Sequence, residues 1–270
     1  MIALALLGTL ILTPNFHTPL RLLHDFLKAR EYNDANPQAH GLNAFALEGD
    51  TSLGKTHFLR GVLTSMGYAP VEMTAIESTA IDPQKQYYYL EAGLPWYHKE
   101  AIILKAFHEG SIVVMEEMNA AAFSERCLNA VLSGKDLQGN PAENTGFRLL
   151  VTQNPASTYE GRQDYSPALE RRFLTYELPN YSETDLQYIA AKKGFKGNEI
   201  DDIIEEFLDA QTIQKAQLSE DVITFNDFID ELDACKPRQK ARFWKPHLPQ
   251  EDTHNSTDSV LSPTGVDLCL

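Results

Sequence analysis

The pattern of apolar and polar positions predicts strands that alternate with helices over the first two thirds of the chain. Strands are predicted at residues 44–48, 71–75, 111–115 and 147–152, and the last two are apolar runs typical of strands buried on both faces. Apolar residues at helical spacing predict helices at 20–30, 55–66, 99–109 and 123–132. Residues 31–41 and the aromatic stretch 78–98 are predicted to be irregular, and turn residues at 137–146 suggest a hairpin. This alternation predicts an α/β fold, a three-layer αβα sandwich around a parallel sheet.

The pattern changes twice in the last third of the chain. Three helical segments are predicted at 184–193, 199–210 and 226–235, with no strand between them. Residues 236–247 carry five Lys or Arg, and the remainder is polar. We therefore predict an α/β domain at 1–180, a small helical lid domain at 181–235 and a flexible tail at 236–270 that is basic and then polar and acidic. The basic segment is interpreted as a solvated linker, with a contact to nucleic acid or to a partner as the alternative.

Composition and charge exclude several classes of protein. The 270 residues include 23 basic and 38 acidic side chains, a net charge of −15 that argues against a general nucleic-acid binder. The three cysteines form no CxxC pair, which argues against a zinc site. The apolar run at residues 2–12 is shorter than the roughly 20 residues of a membrane span, so we interpret it as a buried strand or turn. We expect a cytoplasmic protein without membrane contact.

A candidate phosphate-binding motif directly follows the strand at 44–48. Its eight residues fit the phosphate-loop pattern G-x-x-x-x-G-K-[ST] without deviation: Gly49, Asp50, Thr51, Ser52, Leu53, Gly54, Lys55 and Thr56. The glycines let successive backbone N–H groups point at one phosphate, and the following helix adds its positive N-terminal end. Lys55 is predicted to reach the β- and γ-phosphates, and Thr56 to bind Mg²⁺ through its hydroxyl. The fold class is therefore refined to a P-loop NTPase.

An acidic pair, Glu116 and Glu117, follows the apolar strand at 111–115. There Glu116 would bind Mg²⁺, directly or through water, and Glu117 would polarise the attacking water as a general base. P-loop kinases and GTPases remain alternatives, because they share the phosphate loop. An N-K-x-D base-recognition motif is absent, and we interpret the D-x-x-G sequence at 136–139 as a turn because it follows a helix.

Five further segments occur downstream in a fixed order: 117–121 (EMNAA), 128–132 (LNAVL), 147–155 (FRLLVTQNP), 159–162 (YEGR) and 166–173 (SPALERRF). In this order they resemble AAA+ ATPase modules of the dynein-related, midasin-like group, with MoxR-type ATPases as more distant relatives. The resemblance covers about residues 10–235 and is most specific at 147–173. It implies a module that binds and hydrolyses ATP with Mg²⁺ and works in a homo- or hetero-oligomeric ring that remodels a protein.

The resemblance also implies roles for individual residues. Asn154 matches the sensor-1 position, where its amide would hold the attacking water or contact the γ-phosphate. Arg172, with Arg171 as the neighbouring alternative, matches the arginine that reaches into the next subunit's site. Asn119 is assigned the task of holding Glu117 in an inactive pose, and Arg162 matches a family position without an assigned role.

Two positions depart from the family pattern. The first acidic residue is usually Asp and is Glu116 in this chain, and Asn226 lies where the sensor-2 arginine is often found. A nucleotide-gated protein-binding module with weak or no hydrolysis is therefore a second hypothesis, beside the remodelling ATPase.

Overall fold

The computed structural model describes residues 13–35, 42–71, 85–120, 123–156, 162, 164–195, 198–217 and 224–234. The predictions for the apolar run at 2–12 and for the tail at 236–270 lie outside the described residues. Residues 72–75, most of the predicted second strand, also lie outside them.

The described strands form one parallel sheet of six strands in the order β2-β3-β4-β5-β1-β6. The strands are β1 (Ala44–Glu48), β2 (Ala69–Pro70), β3 (Gln86–Leu90), β4 (Ile112–Met115), β5 (Arg148–Gln153) and β6 (Phe173–Glu177). The predicted parallel α/β sheet is therefore confirmed. The strand that leads into the phosphate loop, β1, lies between β5 and β6, so its carboxyl end is flanked by the ends of both neighbours.

Eight α-helices are described, after a short 3₁₀ turn at Pro14–Phe16. They are α1 (His17–Ala35), α2 (Lys55–Ser65), α3 (Trp96–Glu109), α4 (Glu125–Leu132), α5 (Pro167–Glu170), α6 (Glu183–Lys192), α7 (Asn198–Gln217) and α8 (Phe225–Ala234). Among the described helices, none combines the length and the apolar character that crossing a membrane requires.

Two hydrophobic clusters cover the two faces of the sheet. Alternate residues of β4 divide between them: Val114 belongs to the cluster under α1 and α2, while Met115 belongs to the cluster under α3 and α4. The side chains of a strand point alternately to opposite faces, so both faces of this strand are buried. The three-layer sandwich follows from this division. A third cluster joins α6, α7 and α8 around Phe228 and Leu232.

The aromatic stretch at 78–98 is where the predicted elements were wrong. Residues 86–90 form β3, and α3 begins at Trp96. Tyr87 is 1% exposed and Tyr88 is 6% exposed, and they lie in the clusters on opposite faces of the sheet. Aromatic side chains suit a pleated, buried surface, and the three consecutive tyrosines belong to a strand for that reason.

Smaller differences concern ends and connections. Helix α1 continues to Ala35, where a loop was predicted from residue 31. Strand β6 and the short helix α5 were not predicted. The predicted hairpin at 137–146 is a turn with a single antiparallel bridge between Lys135 and Pro141.

Candidate functional site

The eight-residue phosphate loop joins β1 to α2 at the carboxyl edge of the sheet. Its backbone takes left-handed conformations at Ser52, with φ 63°, and at Gly54, with φ 75°. At Gly49 a Cβ atom would lie 3.0 Å from the carbonyl oxygen of Leu178, so a side chain there would press on the end of β6. A loop that combines left-handed residues with close backbone packing forms the concave turn that presents N–H groups to an anion.

Lys55, the first residue of α2, extends its ammonium group back under this loop. Its Nζ donates hydrogen bonds to the carbonyl oxygens of Gly49 at 2.8 Å and Asp50 at 2.6 Å, and to Oδ1 of Asn154 at 2.9 Å. Burial lowers the pKa of Lys55 to about 8, although the charges of Glu117 and Asp50 oppose the shift. All three hydrogen-bond acceptors of Lys55 are neutral oxygens, so no carboxylate among them compensates the charge of this buried side chain.

Asn154 follows the last residue of β5 and is buried at 2% exposure. Besides accepting from Lys55, its amide donates to the Thr51 hydroxyl at 3.4 Å. The predicted sensor residue is thus brought into the phosphate loop, on the strand next to β1. Its side chain connects the loop to the middle of the sheet.

Thr152 is a residue of this site that sequence reasoning missed. Its hydroxyl lies 3.5 Å from the Thr56 hydroxyl and accepts a hydrogen bond at 3.2 Å from the backbone N–H of Glu117. The available signal was its position two residues before Asn154, because residues i and i+2 of a strand share one face. Thr152 joins the start of α2 to the acidic pair.

Glu117 occupies a left-handed conformation, with φ 45°, immediately after β4 and the first acidic residue. Its Oε2 accepts a hydrogen bond from Nη1 of Arg162 at 3.1 Å in a partly exposed ion pair. The predicted contact between the side chains of Asn119 and Glu117 is not formed. The Asn119 amide instead donates to the backbone oxygen of Asn154 at 2.8 Å, because the turn after β4 carries its side chain towards β5.

Glu116 lies on the same face of the sheet as α2. Its Oε2 accepts a hydrogen bond from the Tyr89 hydroxyl at 2.7 Å, and the guanidinium of Arg60, on α2, lies 4.5 Å from the centre of the Tyr89 ring. Burial and the bond to Glu116 raise the pKa of Tyr89, so its phenol stays protonated and donates near neutral pH. A buried lysine, Lys99, donates to the Ala92 oxygen at 3.0 Å, and burial lowers its pKa against the charges of the acidic pair.

Arg171 and Arg172 are not brought to the phosphate loop. They precede β6, whose first residue, Phe173, pairs with Ala44 at the opposite end of β1 from the loop. The offset of four residues separates the two ends by about 13 Å along the strands. Arg172 donates from Nε to Oδ1 of Asn129 on α4 at 2.8 Å, and Arg171 is exposed.

The D-x-x-G sequence at 136–139 forms a turn, as its position after a helix predicts. The Asp136 carboxylate accepts from the backbone N–H groups of Gln138 and Asn140, and Gly139 N–H donates to the Asp136 oxygen at 3.1 Å. This turn packs beside His108 near the end of α3, where the chain is about to enter β4. It therefore lies at the amino edge of the sheet, away from the phosphate loop.

Two contacts join the helices after residue 180 to the phosphate loop. The Tyr181 hydroxyl donates to the Leu53 oxygen at 3.1 Å, and its ring packs on Phe225 at the start of α8 with centroids 4.4 Å apart. Asn226 donates from its amide to the Ser52 hydroxyl at 3.3 Å. The residue at the expected sensor-2 position thus reaches the loop, but it brings an amide and no positive charge.

The donor atoms near the loop fit Mg²⁺ carried by a nucleotide. Thr56 supplies a hydroxyl oxygen and Glu116 a carboxylate, and Mg²⁺ prefers one or two such ligands together with phosphates and water. Within the described residues there is no group of three or more His, Cys, Asp or Glu placed to hold a metal ion without a nucleotide. Lys55, as a buried cation, fits the phosphates.

Together, the parallel sheet and the phosphate loop at its carboxyl edge define a P-loop NTPase-like α/β fold. The chain is 26% identical to midasin of Dictyostelium discoideum over 190 residues, or 68% of this chain and 3% of that protein. It is 27% identical to midasin of Giardia intestinalis over 184 residues, or 64% of this chain and 4% of that protein. No family model matches the chain.

The comparisons confirm the predicted resemblance: the chain is similar to midasin, as a midasin-like AAA+ module. At the level of that family, the similarity supports an AAA+ ATPase module that binds a nucleotide. The chain spans only a small fraction of the length of these relatives.

Proposed function

We propose that this chain binds ATP together with Mg²⁺ at the 49–56 loop and hydrolyses it. The observation that carries the proposal is the position of Lys55, a residue that is 7% exposed and whose ammonium donates to three neutral oxygens beneath the loop. Removing an ammonium group from water is costly unless an opposite charge compensates. A triphosphate in the loop supplies that charge, and the loop N–H groups and the start of α2 add hydrogen bonds to it.

Hydrolysis in this proposal depends on Glu117 and Asn154. Glu117 acts as the general base for water, and Asn154 holds that water or the γ-phosphate through the amide that now contacts Lys55 and Thr51. The ion pair with Arg162 engages Oε2 of Glu117, so release of Arg162 would free this oxygen to accept a proton from water. Mg²⁺, held by Thr56, Glu116 and the phosphates, would neutralise developing charge.

The proposed active unit is a ring of such modules, either identical or mixed. Arg171 and Arg172 lie at the amino edge of the sheet, too far from the loop of their own chain to contact its phosphates. An arginine that cannot serve its own site is suited to serve a neighbouring one, where it would stabilise the charge of the transition state. Assembly into a ring would supply this contact, and the cycle would act on a protein partner in the cytoplasm.

The proposed division of labour follows the three segments 1–180, 181–235 and 236–270. The first binds the nucleotide. The second, built on the cluster of α6, α7 and α8, acts as a lid, because Tyr181 and Asn226 contact the loop through Leu53 and Ser52. The third lies outside the described residues, so the flexible tail stays a prediction. Motion of the lid with the state of the nucleotide would couple hydrolysis to work on a partner.

The test measures phosphate release and nucleotide binding across a concentration series of the full chain. The wild type should release phosphate with a specific activity that rises as the protein assembles. Glu117→Gln should keep ATP binding and lose activity by about 10² or more, as expected for loss of a general base. Arg172→Ala should also be inactive, and mixing it with Glu117→Gln should restore part of the activity, because one site of the mixed ring then has both groups. Wild-type activity as low as that of Glu117→Gln refutes hydrolysis.

The second candidate is a nucleotide-gated binding module with little hydrolysis. The amide of Asn226 where an arginine is expected, and the engagement of Glu117 by Arg162, favour it. It predicts Mg²⁺-dependent ATP binding and ATP-dependent assembly, with phosphate release already negligible in the wild type. A P-loop kinase or GTPase instead predicts a phosphorylated acceptor or a preference for GTP, with a specific activity that does not depend on concentration.

A further inference from the structure

We infer that Tyr89 is a positioning residue, which orients the Glu116 carboxylate for the metal of a bound nucleotide. This inference rests on the proposed function, because it concerns the same loop and the same Mg²⁺. It assigns a role to a side chain of β3, the strand that lies next to the acidic strand β4 and that was predicted to be irregular.

The position of Glu116 is fixed by backbone contacts to β3. Its N–H donates to the Leu90 oxygen at 2.9 Å, and Tyr89 pairs with Val114 in the parallel register of the two strands. Because Met115 points into the cluster under α3 and α4, the alternation of the strand sends Glu116 to the other face. On that face α2 begins with Lys55 and Thr56.

Tyr89 reaches the same place from the neighbouring strand. Its ring packs against the cluster under α1 and α2, and its hydroxyl donates to Oε2 of Glu116 at 2.7 Å. The guanidinium of Arg60, 4.5 Å from the ring centre, links the ring to α2. Tyr89 is therefore held on both sides, and its bond fixes the plane of the carboxylate that the site would offer to a metal.

The hydrogen bond from Tyr89 restrains the Glu116 side chain, which is longer than the aspartate side chain usual at this position. A glutamate has one more rotatable bond than an aspartate, so an unrestrained Glu116 would sample positions that cannot meet the metal. Hydrogen bonds from an outer group to a metal ligand restrict that freedom, and losing them typically weakens metal affinity about 10- to 100-fold. A hydroxyl at Tyr89 is suited to this task, since it donates one short bond and carries no charge.

The same strand contains a matched control. The Tyr88 hydroxyl donates to Oε2 of Glu109 at 2.6 Å, and the ammonium of Lys105 lies 5.6 Å from the centre of its ring. Tyr88 thus repeats the arrangement of a tyrosine, a glutamate and a cation, but it packs against the cluster on the opposite face of the sheet. Tyr89→Phe and Tyr88→Phe each remove one hydroxyl of the same kind, so a difference between them reports on the acidic pair.

The experiment measures the affinity of the full chain for a fluorescent, non-hydrolysed ATP analogue (mant-AMP-PNP), with Mg²⁺ and with EDTA. The ratio of the two dissociation constants is the contribution of the metal. Tyr89→Phe should reduce this ratio about tenfold without changing affinity in EDTA. Tyr88→Phe should leave it within about twofold of the wild type. In a Glu116→Ala background, where the ratio is already reduced, adding Tyr89→Phe should have no further effect.

The outcomes separate this inference from the proposed function. If the wild type binds the analogue equally well with and without Mg²⁺, the proposed metal site fails and the role of Tyr89 fails with it. If the wild type depends on Mg²⁺ and Tyr89→Phe keeps or increases that dependence, the role of Tyr89 alone is refuted. A fall in melting temperature common to both tyrosine variants, with an unchanged ratio for each, refutes it as well, since the hydroxyl then acts only on stability.

Discussion

Lys55 should make nucleotide binding depend on pH. Burial lowers its pKa to about 8, from 10.5 for an ordinary lysine. A neutral Lys55 offers no charge to a triphosphate, so the form that binds ATP is the protonated one. We therefore expect binding to take up protons and to weaken as the pH rises through 8.

The size of the effect follows from that pKa. If Lys55 is fully protonated in the complex, the apparent dissociation constant rises about tenfold between pH 7 and pH 9, and about tenfold again by pH 10. The lowered pKa of Lys55 also affects the folding stability of the protein without a bound nucleotide. Because the folded pKa lies below the unfolded one, the folded state binds fewer protons between pH 8 and 10.5, so its stability increases with pH there. The difference between the two pKa values corresponds to about 3 kcal/mol. Burial of the charged Lys55 costs this much folding free energy, and a bound phosphate offsets the cost.

The assay is isothermal titration of the full chain with ATP and Mg²⁺ at pH 7.5 to 9.5, in pairs of buffers with different ionisation enthalpies. At pH 8 the wild type should take up about half a proton for each ATP bound. Lys55→Arg is the control, because a guanidinium stays charged throughout this range. Burial raises the pKa of Cys127 to about 12 and that of Tyr181 as well, which removes both from the window. A wild-type affinity that is constant across the range, or an equal decline in Lys55→Arg, refutes the reasoning.

Two further substitutions test other parts of the structure. Arg162→Ala should release Glu117 and raise basal phosphate release up to about fivefold, the factor that a partly exposed ion pair worth about 1 kcal/mol supplies. A decrease in rate at unchanged ATP affinity would contradict this, because Arg162 would then assist the reaction. Gly110→Ala should cost more than about 4 kcal/mol in chemical denaturation, because its Cβ would lie 2.0 Å from the Thr145 oxygen. Gly134→Ala has a similar φ but open space around it, so it should cost about 1–2 kcal/mol, and equal losses for the two variants would refute the steric argument.

The fold was largely predictable wherever one residue pattern determined one element. The strand at 44–48 and the start of α2 agree with the prediction to the residue, because apolar residues end at a glycine loop that cannot continue the strand. Strand β3 was missed because it consists of Gln86, three tyrosines and Leu90, so it lacks the aliphatic run by which the buried strands β4 and β5 were recognised. Strand β6 was missed because its exposed Thr175 and Glu177 interrupt its apolar residues.

The candidate site has one part that the sequence motif predicts and another part that arises only when distant segments of the chain fold together. Lys55 and Thr56 belong to a contiguous motif, so the loop could be recognised from spacing alone. The hydrogen bonds from Lys55 to Asn154, from Arg162 to Glu117 and from Tyr89 to Glu116 join residues 27 to 99 positions apart. Parallel strands create such contacts by placing their carboxyl ends along one edge, and the strand order, with β5 beside β1 and β3 beside β4, selects which ends meet. The family resemblance assigned Asn154 to this edge, and it also assigned Asn119 to Glu117. The left-handed backbone at Glu117 separates their side chains, so Asn119 turns to Asn154 and Arg162 takes the carboxylate.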